Sequence, residues 1–511
     1  MKFSENWLRT LCNPPLSSEM LQESLTMAGL EVEEAQPAAP AFSEVVVARI
    51  ERIAPHPSAD RLRVCHVDAG TGELLQVVCG APNAAAGMRA PLARIGATLP
   101  GGTTIGKAVM RGVESTGMLC SAKELGLSED ASGLLALAED ARIGSDLREA
   151  LGLDDTLITL KLTPNRADCL SLVGIAREAH AITGAPLQPP PLQRAKVGID
   201  AVRKVRIEDE QACPRFASRI IDGIDARAPT PSWMRERLEK SGIRSISAIV
   251  DVTNYVMLEL GQPLHAYDDA LLHGHIVVRF AKTGEKLTLL NGDTLELEPD
   301  LLMVCDEEKP LGLAGIMGGE HSGISDDTTR VFLEGAYWNP RVIQGKSRRL
   351  GFVSDAGYRF ERGVDPELGP RAVERATQLI VEICGGTAGP LNDVTVALPA
   401  RARVRVRSSR IRRLLGVDIP AATVSDLFDK LGIAYERQGE DWIATPPSFR
   451  FDLDIEEDYV EEVARLFGFE RIPAAPAAHV QTMLPSREQE RPATELRRRL
   501  AMRDWQEVIT F

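Results

Sequence analysis

Short apolar runs separated by turn residues mark the region from residue 45 to residue 121 and predict β-structure there. Residues 45–50 and 74–78 are rich in β-branched side chains, and Gly, Pro and Asn follow them. Short strands punctuated in this way favour a small all-β barrel. Barrels of the OB type present loops and an open face to oligonucleotides. From the pattern alone, a purely structural barrel without a ligand is equally compatible.

Later in the chain, residues 458–468 have apolar side chains at helical spacing. The predicted apolar stripe consists of Val460, Val463, Ala464 and Phe467. Asp458, Glu461 and Glu462 are predicted to lie on the other side, and Gly468 is a natural helix stop. An acidic face of this kind is usually only solvated. Close carboxylates also repel each other, and a hard divalent cation such as Mg²⁺ would relieve that repulsion.

Residues 401–407 alternate small apolar side chains with four arginines. This period of two is typical of a half-exposed strand. The arginines also suit RNA contact, but the pattern favours a solvated strand face.

Segments rich in proline and alanine divide the chain. They occur at residues 35–40, 186–191, 397–400 and 473–476. Such segments disfavour regular structure and suit linkers. At about 100–200 residues per domain, the length predicts roughly three to five domains.

Composition indicates a globular protein. The hydrophobic content of 44% is ordinary for a folded domain. No uncharged apolar run approaches the ~18 residues that a membrane helix needs, and the start lacks the apolar core of a signal peptide. The eight cysteines form no CxxC pair, so neither a zinc site nor a disulfide framework is indicated. We therefore expect a soluble protein of the reducing cytoplasm that has no membrane partner.

The net charge of −14 argues against indiscriminate binding to nucleic acids, because dedicated binders carry a basic footprint and overall acidity repels phosphates. Residues 41–126 are close to neutral, and their basic side chains slightly outnumber the acids. Any RNA contact by this region is therefore expected to be auxiliary and local. A folded RNA would be held by shape and backbone contacts spread over several domains.

The segment from residue 212 to residue 395 contains side chains that suit a small polar pocket. His265 and Glu334 supply polar groups, and Gly318 and Gly319 allow a backbone to approach a ligand closely. Without further information, a hydrogen-bonded buried histidine and an ordinary turn are the simpler interpretation.

Motifs spread along the chain occur in one order. In the β-rich region they are HP at 56–57, ADRL at 59–62, VCGAPN at 78–83, RGVES at 111–115 and GMLCS at 117–121. The later ones are LTPNRADCLS at 162–171, DVTNYV at 251–256, GQPLHAYD at 261–268, LAGIMGG at 313–319, LEGA at 333–336, SDAGYRFERGVDP at 354–366 and PPSFRFD at 446–452. In LTPNRADCLS, Thr-Pro-Asn is also turn and helix-start chemistry. In this order the motifs resemble those of the beta subunits of bacterial phenylalanine–tRNA ligases. Because motifs of four modules occur in one order, the resemblance is specific.

The resemblance implies a multidomain α+β protein with an inserted OB-like β-barrel, a large mixed α/β editing domain and a small α+β domain associated with metal. The implied ranges are 1–39 and 151–200 for the two parts of an N-terminal domain, 40–150 for an OB-fold tRNA-binding domain, 207–398 for the editing domain, 401–476 for a B5-like domain and 477–511 for a linker and the start of a catalytic-like domain. Most of that last domain and a final anticodon-binding domain are not in the sequence, so we expect a C-terminally truncated subunit.

An editing domain of this family hydrolyses tyrosine that has been wrongly attached to the phenylalanine tRNA. The family's editing-pocket positions fall on Arg244, His265, Gly318, Glu334, Ser354 and Ala356. Ser354 stands where the family usually has Thr, so the pocket loses a methyl group but keeps a hydroxyl. No Ser–His–Asp spacing indicates a covalent nucleophile. We therefore expect hydrolysis of the ester by water, assisted by positioning in the pocket.

The resemblance also implies a metal and several partners. The family's Mg²⁺-binding positions fall on Asp452, Asp458, Glu461 and Glu462, at the junction with the alpha subunit. The implied assembly is an alpha2beta2 heterotetramer that joins phenylalanine to tRNA(Phe) with ATP. Nothing here resembles a complete ATP site, so ATP and phenylalanine are expected to bind through the alpha subunit. The alternative is a stand-alone tRNA-binding or structural protein that kept the domains without catalysis; an intact editing pocket distinguishes the two.

Overall fold

The structure is a computed structural model that describes residues 1–474 and 492–511. Residues Met1–Arg471 form one compact unit, and Ile472–Phe511 form a second. The first unit contains sheets and helices in several modules, which confirms the predicted mixed α/β, multidomain architecture. Every helix in the described part is too short or too polar to cross a membrane. The predicted joint at 473–476 and the predicted last segment lie partly outside the described residues.

The first module is an antiparallel sheet whose central strand comes from much later in the sequence. Strand Thr156–Lys161 lies between strands Lys2–Ser4 and Glu31–Pro37 and pairs with both. Three helices share a core with this sheet: Glu5–Leu11, Ser18–Met27 and Leu172–Thr183. The Thr-Pro-Asn motif begins a 3₁₀ helix at Pro164–Cys169, as its turn chemistry predicts.

Between these strands the chain forms a five-stranded antiparallel sheet, which confirms the predicted β-structure. The strands, in sheet order, are Leu74–Cys79, Ala59–Asp68, Ser43–His56, Arg89–Thr98 and Gly117–Leu119. A hairpin of Ala108–Met110 and Val113–Ser115 precedes the last strand, and a short helix, Leu147–Ala150, follows. Both faces are buried, because Val45 and Val46 contribute to different cores. The Thr116 amide donates to the Gln76 carbonyl at 2.9 Å, which joins the two outer strands of the sheet.

The largest module contains two five-stranded sheets and a small hairpin. The first sheet has the order Val205–Ile207, Ile276–Phe280, Leu302–Cys305, Pro310–Leu313 and Met317–Gly318. The second has the order His265–Asp268, Arg330–Tyr337, Arg215–Asp222 and Thr387–Ala388, with Asn392–Thr395 also paired to Arg215–Asp222. The hairpin is formed by Lys286–Thr288 and Thr294–Glu296. The helices are Ser232–Lys240, Ala248–Leu260, Pro340–Ile343, Lys346–Arg349, Asp355–Arg362 and Gly369–Cys384.

The second sheet of this module is buried on both faces. Along strand Arg330–Tyr337, Phe332 and Ala336 belong to one core, while Val331 and Leu333 belong to another that the helices Ala248–Leu260 and Gly369–Cys384 share. Side chains alternate between the two faces of a strand. Glu334 therefore points to the same side as Phe332, toward the core that the first sheet also supplies.

The last module of the first unit is a small sheet covered by helices. Its strands, in sheet order, are Val404–Val406, Asp441–Thr445 and Ala434–Gln438. Its helices are Ser408–Leu415, Ala421–Lys430 and Glu456–Phe467. The predicted arginine-rich strand is confirmed at Val404–Val406, and the predicted acidic helix ends before Gly468, where φ is +100°. In the second unit, the described residues include one helix, Ala493–Ala501.

Candidate functional site

A cavity of about 210 Å³ lies in the largest module, where the two five-stranded sheets supply facing side chains. Five of the six predicted editing-pocket residues line it: His265, Gly318, Glu334, Ser354 and Ala356. The remainder of the wall is largely apolar and includes Leu264, Leu313, Ile316, Met317, Trp338 and Phe360. Arg244 is exposed in the segment between helices Ser232–Lys240 and Ala248–Leu260 and is not part of the wall.

His265 and Glu334 meet because their strands pair. The two residues are direct partners in the antiparallel register of His265–Asp268 and Arg330–Tyr337, and direct partners project from the same face of a sheet. Tyr267 lies two positions after His265 and therefore shares this face. Its hydroxyl donates a hydrogen bond to Glu334 Oε2 at 2.7 Å. Tyr267 was not predicted as a site residue, although the period of two on a strand that begins at His265 would have indicated it.

Burial favours the uncharged forms of both Glu334 and His265. Burial raises the pKa of Glu334 to about 7, against the hydrogen bond from Tyr267, which lowers it. Burial lowers the pKa of His265 to about 4. At neutral pH the cavity therefore contains a neutral imidazole and a carboxyl group that exchanges readily between its two protonation states.

Gly318 is required by the close approach of His265. A Cβ atom at position 318 would lie 2.3 Å from His265 Cε1 and 2.5 Å from Nε2. Any side chain at this position would therefore have to displace the imidazole ring. His265 Nε2 is buried and makes no hydrogen bond with any described residue. The glycine thus allows a polar ring nitrogen to lie at the cavity wall without a protein partner.

Ser354 has a structural task at the edge of the cavity. It is the N-cap of helix Asp355–Arg362: its hydroxyl accepts a hydrogen bond from the Gly357 amide at 3.0 Å. The same hydroxyl donates to the Ile316 carbonyl at 2.7 Å. Both interactions fix the cavity wall, because they tie the helix start to the segment that contains Met317 and Gly318. A hydroxyl engaged in this way is not poised as a nucleophile.

The predicted metal-binding residues do not converge. Asp458 caps its own helix, because its Oδ2 accepts the amides of Asp454 and Ile455 at 2.8 Å each. Glu461 is exposed. Glu462 is only 2% exposed, so it does not lie on an accessible acidic side of the helix opposite the apolar stripe, as the spacing predicted. The helix is buried on more sides than its apolar stripe indicates.

Glu462 is buried because arginines surround it. Arg450 Nη1 lies 2.6 Å and Arg465 Nη2 2.5 Å from Glu462 Oε2. Burial opposes the ionisation of Glu462, but Arg465 and Arg450 outweigh it and hold its pKa well below the usual range. Arg450 also makes two hydrogen bonds with Asp452, at 2.9 and 2.8 Å. Two of the four predicted metal ligands are therefore already neutralised by arginine.

The ion pairs continue into the first module. Arg465 lies 2.5 Å from Glu178, and Arg166 lies 2.7 Å from Glu178 and 3.0 Å from Asp168. We call the set the buried ion network; its members are Arg166, Asp168, Glu178, Arg450, Asp452, Glu462 and Arg465. Charges of opposite sign alternate along it. The network joins helix Glu456–Phe467 to the module that contains Leu172–Thr183.

The arrangement does not fit a Mg²⁺ site. Mg²⁺ needs oxygen ligands that are free to bind it, whereas arginines bind Asp452 and Glu462 and backbone amides bind Asp458. Over residues 1–474 and 492–511, no three His, Cys, Asp or Glu side chains are grouped so as to hold a metal ion. Mg²⁺ binding through these residues stays a prediction from the resemblance.

Three protein-family models match this chain. The "Putative tRNA binding domain" matches residues 45–146, the "B3/4 domain" residues 212–385, and the "tRNA synthetase B5 domain" residues 404–469. They correspond to the five-stranded β-module, to the module with the cavity and to the small module with the acidic helix.

Curated relatives match the chain from end to end. Phenylalanine–tRNA ligase beta subunits are 58% identical in Aromatoleum aromaticum, 54% in Bordetella parapertussis and 53% in Chromobacterium violaceum. Each alignment covers 100% of this chain and 64% or 65% of the relative. A solved N-terminal fragment of the phenylalanyl-tRNA synthetase beta subunit from Pyrococcus horikoshii is 13% identical, with a TM-score of 0.40, over 91% of this chain and 99% of that one.

The chain thus spans about 65% of the length of the curated relatives that it matches. The identity over the whole chain and the order of the three family matches confirm the resemblance that the motifs indicated. The chain belongs to the family of phenylalanine–tRNA ligase beta subunits.

Proposed function

We propose that the cavity hydrolyses the ester bond of tyrosyl-tRNA(Phe) and so removes wrongly attached tyrosine. The observation that carries this proposal is the Glu334 carboxyl group, buried in a largely apolar cavity beside His265 and Tyr267. An aromatic ring fits the apolar wall, and a phenolic hydroxyl at its end can donate to a carboxylate. Phenylalanine has no such donor.

The need for a second site follows from the energetics of discrimination. A hydrophobic synthetic pocket rejects a substrate with one added hydroxyl by a factor of only about 100. A site that hydrogen-bonds the hydroxyl discriminates in the other direction, because phenylalanine leaves a buried acceptor oxygen without a partner. That deficit costs about 1–3 kcal/mol per group. The cavity therefore selects tyrosine through a hydrogen bond from the phenolic hydroxyl, which phenylalanine lacks.

The chemistry of the cavity favours attack by water. Its one wall serine, Ser354, is engaged with Ile316 and Gly357. His265 stays neutral at neutral pH because its pKa is lowered to about 4. We infer that the residues bind and orient the ester and a water molecule, and that positioning supplies the rate enhancement.

We further propose that the chain acts as part of a larger ligase. The alpha subunit would carry ATP-dependent attachment of phenylalanine, in an alpha2beta2 heterotetramer of the cytoplasm, and the module of residues 45–146 would contact tRNA. Mg²⁺ at the alpha–beta junction stays a separate prediction, and no step of the editing proposal uses it.

The test is deacylation of preformed tyrosyl-tRNA(Phe) by the full-length beta subunit assembled with its alpha subunit. Glu334→Ala should slow the hydrolysis of tyrosyl-tRNA and narrow its preference over phenylalanyl-tRNA. Gly318→Trp should abolish hydrolysis, because even a Cβ there meets His265 at 2.3 Å. Both variants should attach phenylalanine at nearly the normal rate.

Glu382→Ala serves as the matched control, since Glu382 is exposed on helix Gly369–Cys384, away from the cavity wall. Wild-type deacylation by both cavity variants would falsify the pocket assignment. Absence of deacylation by the wild-type enzyme would instead favour the alternative, a tRNA-binding or structural protein without this chemistry.

A further inference from the structure

A hydrogen bond joins the side chains of Tyr267 and Glu334. The Tyr267 hydroxyl donates to Glu334 Oε2 at 2.7 Å, so the carboxyl group is the acceptor. Among residues 1–474 and 492–511 no other side chain or amide donates to this carboxyl group. A carboxylate has two oxygens and can accept several hydrogen bonds. Oε1 is therefore the oxygen that a ligand can reach with a donor of its own.

The position of Tyr267 is itself tightly held. The side chain is 2% exposed. Its ring packs edge to face against His265 at 4.3 Å between centroids and lies tilted against Phe332 at 5.9 Å. Because aromatic packing fixes the ring on two sides, the hydroxyl can hold Glu334 in one orientation.

We propose that Tyr267 is a positioning residue for discrimination: its hydroxyl holds the Glu334 carboxylate so that Oε1 accepts the phenolic hydroxyl of misattached tyrosine. This inference rests on the proposed editing function. It adds a residue of the cavity wall that does not need to react, but that decides whether the selecting group is an acceptor. A carboxylate accepts a hydrogen bond from tyrosine, whereas a protonated carboxyl group presents a competing donor.

The surroundings of Glu334 make Tyr267 the group that favours the ionised form. The polar groups packed around Glu334 are His265, Cys213 and Ser218 on its side of the sheet and, on the other side, Arg219 paired with Glu374. Burial raises the pKa of Glu334, and the hydrogen bond from Tyr267 is what lowers it. Loss of the Tyr267 hydroxyl should therefore leave Glu334 more protonated at neutral pH.

The experiment uses Tyr267→Phe in the assembled full-length enzyme. Deacylation of tyrosyl-tRNA and of phenylalanyl-tRNA is measured as a function of pH. Near neutral pH, the preference for tyrosyl-tRNA should fall about tenfold, as expected for one lost hydrogen bond to a charged group. The preference should return as pH rises, because Glu334 then ionises without help. The midpoint of this pH dependence should move upward by about one unit.

Two variants separate positioning from a loss of structure. Tyr255→Phe makes the same chemical change at another buried tyrosine, which does not line the cavity. The Tyr255 hydroxyl donates to Glu259 at 3.1 Å. This variant should keep the wild-type pH dependence of deacylation. Glu334→Gln cannot ionise, so adding Tyr267→Phe to it should not change the pH dependence further.

A Tyr267→Phe enzyme with an unshifted midpoint, or with preference lost equally at every pH, would overturn the inference while leaving the editing proposal intact. Failure of the wild-type enzyme to deacylate tyrosyl-tRNA would remove the editing proposal itself, so the two failures are distinguishable.

Discussion

At the scale of single residues, the cavity depends on two ionisable groups that burial affects in opposite senses. The imidazole of His265 loses its charge when its proton leaves, and the carboxyl group of Glu334 loses its charge when a proton binds. Burial penalises charge in both cases. The pKa of Glu334 rises to about 7 while the pKa of His265 falls to about 4. The two groups should therefore oppose each other in the pH dependence of stability.

The contributions of Glu334 and His265 to stability change with pH in opposite directions. Between pH 4.5, the ordinary pKa of Glu, and about 7, folded Glu334 keeps a proton that the unfolded chain releases. Its contribution to stability therefore falls as pH rises through this window. Between about 4 and 6.5, the ordinary pKa of His, the unfolded chain binds a proton that folded His265 does not. The contribution of His265 therefore grows as pH rises.

We predict that the two variants Glu334→Gln and His265→Gln separate these slopes. Where the windows overlap, Glu334→Gln should become more stable relative to wild type as pH rises, and His265→Gln less stable. The difference in the free energy of unfolding between each variant and the wild type should change by at most about 1.4 kcal/mol per pH unit. Thermal unfolding midpoints of both variants and the wild type, recorded at several pH values in the overlap, provide the measurement. If the unfolding midpoints of both variants change with pH in parallel with the wild type, the opposite contributions of Glu334 and His265 are contradicted.

At the scale of elements, helix Glu456–Phe467 shows which structural features the sequence pattern predicts and which it does not. Its C-terminal end and its apolar stripe follow from local spacing, and Val460 and Val463 are buried as predicted. The strands over residues 45–50 and 74–78 follow from local composition in the same way. The inward position of Glu462 could not be predicted from the helix alone, because it depends on Arg450, which lies outside the helix, and on Arg465, which also pairs with the distant Glu178.

The cavity shows the same division between local and long-range information. The sequence suggested His265 and Glu334 as polar groups and the resemblance assigned them to the editing pocket, but neither could place them opposite each other. That arrangement depends on the register between two strands separated by more than sixty positions in the chain. Tyr267 was missed because a tyrosine on a strand looks like ordinary core until its partner across the sheet is known.

The contrast between Glu461 and Glu462 gives a prediction for this helix. Replacing Glu462 by Gln leaves Arg450 and Arg465 buried with too little negative charge, so the free energy of unfolding should fall by about 3 kcal/mol. Glu461→Gln, on the exposed face, should change it by at most about 0.5 kcal/mol. Chemical denaturation of the beta subunit compares the two.

The variants Glu461→Gln and Glu462→Gln also test whether these residues bind Mg²⁺. Because Glu462 is already bound by arginines, its replacement should not change the metal content of the assembled enzyme. Loss of bound Mg²⁺ on replacing Glu461 or Glu462, measured by elemental analysis, would instead support the metal site that the resemblance implies.

At the scale of the whole molecule, the buried ion network connects modules that are far apart in sequence. Arg166 and Glu178 belong to the first module, and Glu462 and Arg465 to the last module of the same unit. Removing one partner from a buried pair leaves an uncompensated charge, which is strongly destabilising. The network therefore penalises separation of these modules and favours a fixed relation between them.

We predict that, in the assembled ligase, the alpha subunit activates phenylalanine and the beta subunit does not. The proposed editing cavity lies in the described modules, and the sequence resembles no complete ATP site. Purified full-length beta subunit should therefore not activate phenylalanine, and addition of the alpha subunit should restore attachment of phenylalanine to tRNA. ATP–pyrophosphate exchange measures the first property and aminoacylation the second. Appreciable exchange by the beta subunit alone would sink the assignment.

The central position of strand Thr156–Lys161 has a consequence for synthesis on the ribosome. Its two partners, Lys2–Ser4 and Glu31–Pro37, are made first, and neither can pair until this strand emerges. At about 10 residues per second, the roughly 120 intervening residues take on the order of ten seconds to translate. During this interval the nascent chain exposes unpaired strand edges, while the intervening β-module can already fold. The early segment is therefore where a chaperone that shields exposed strands would act on this protein.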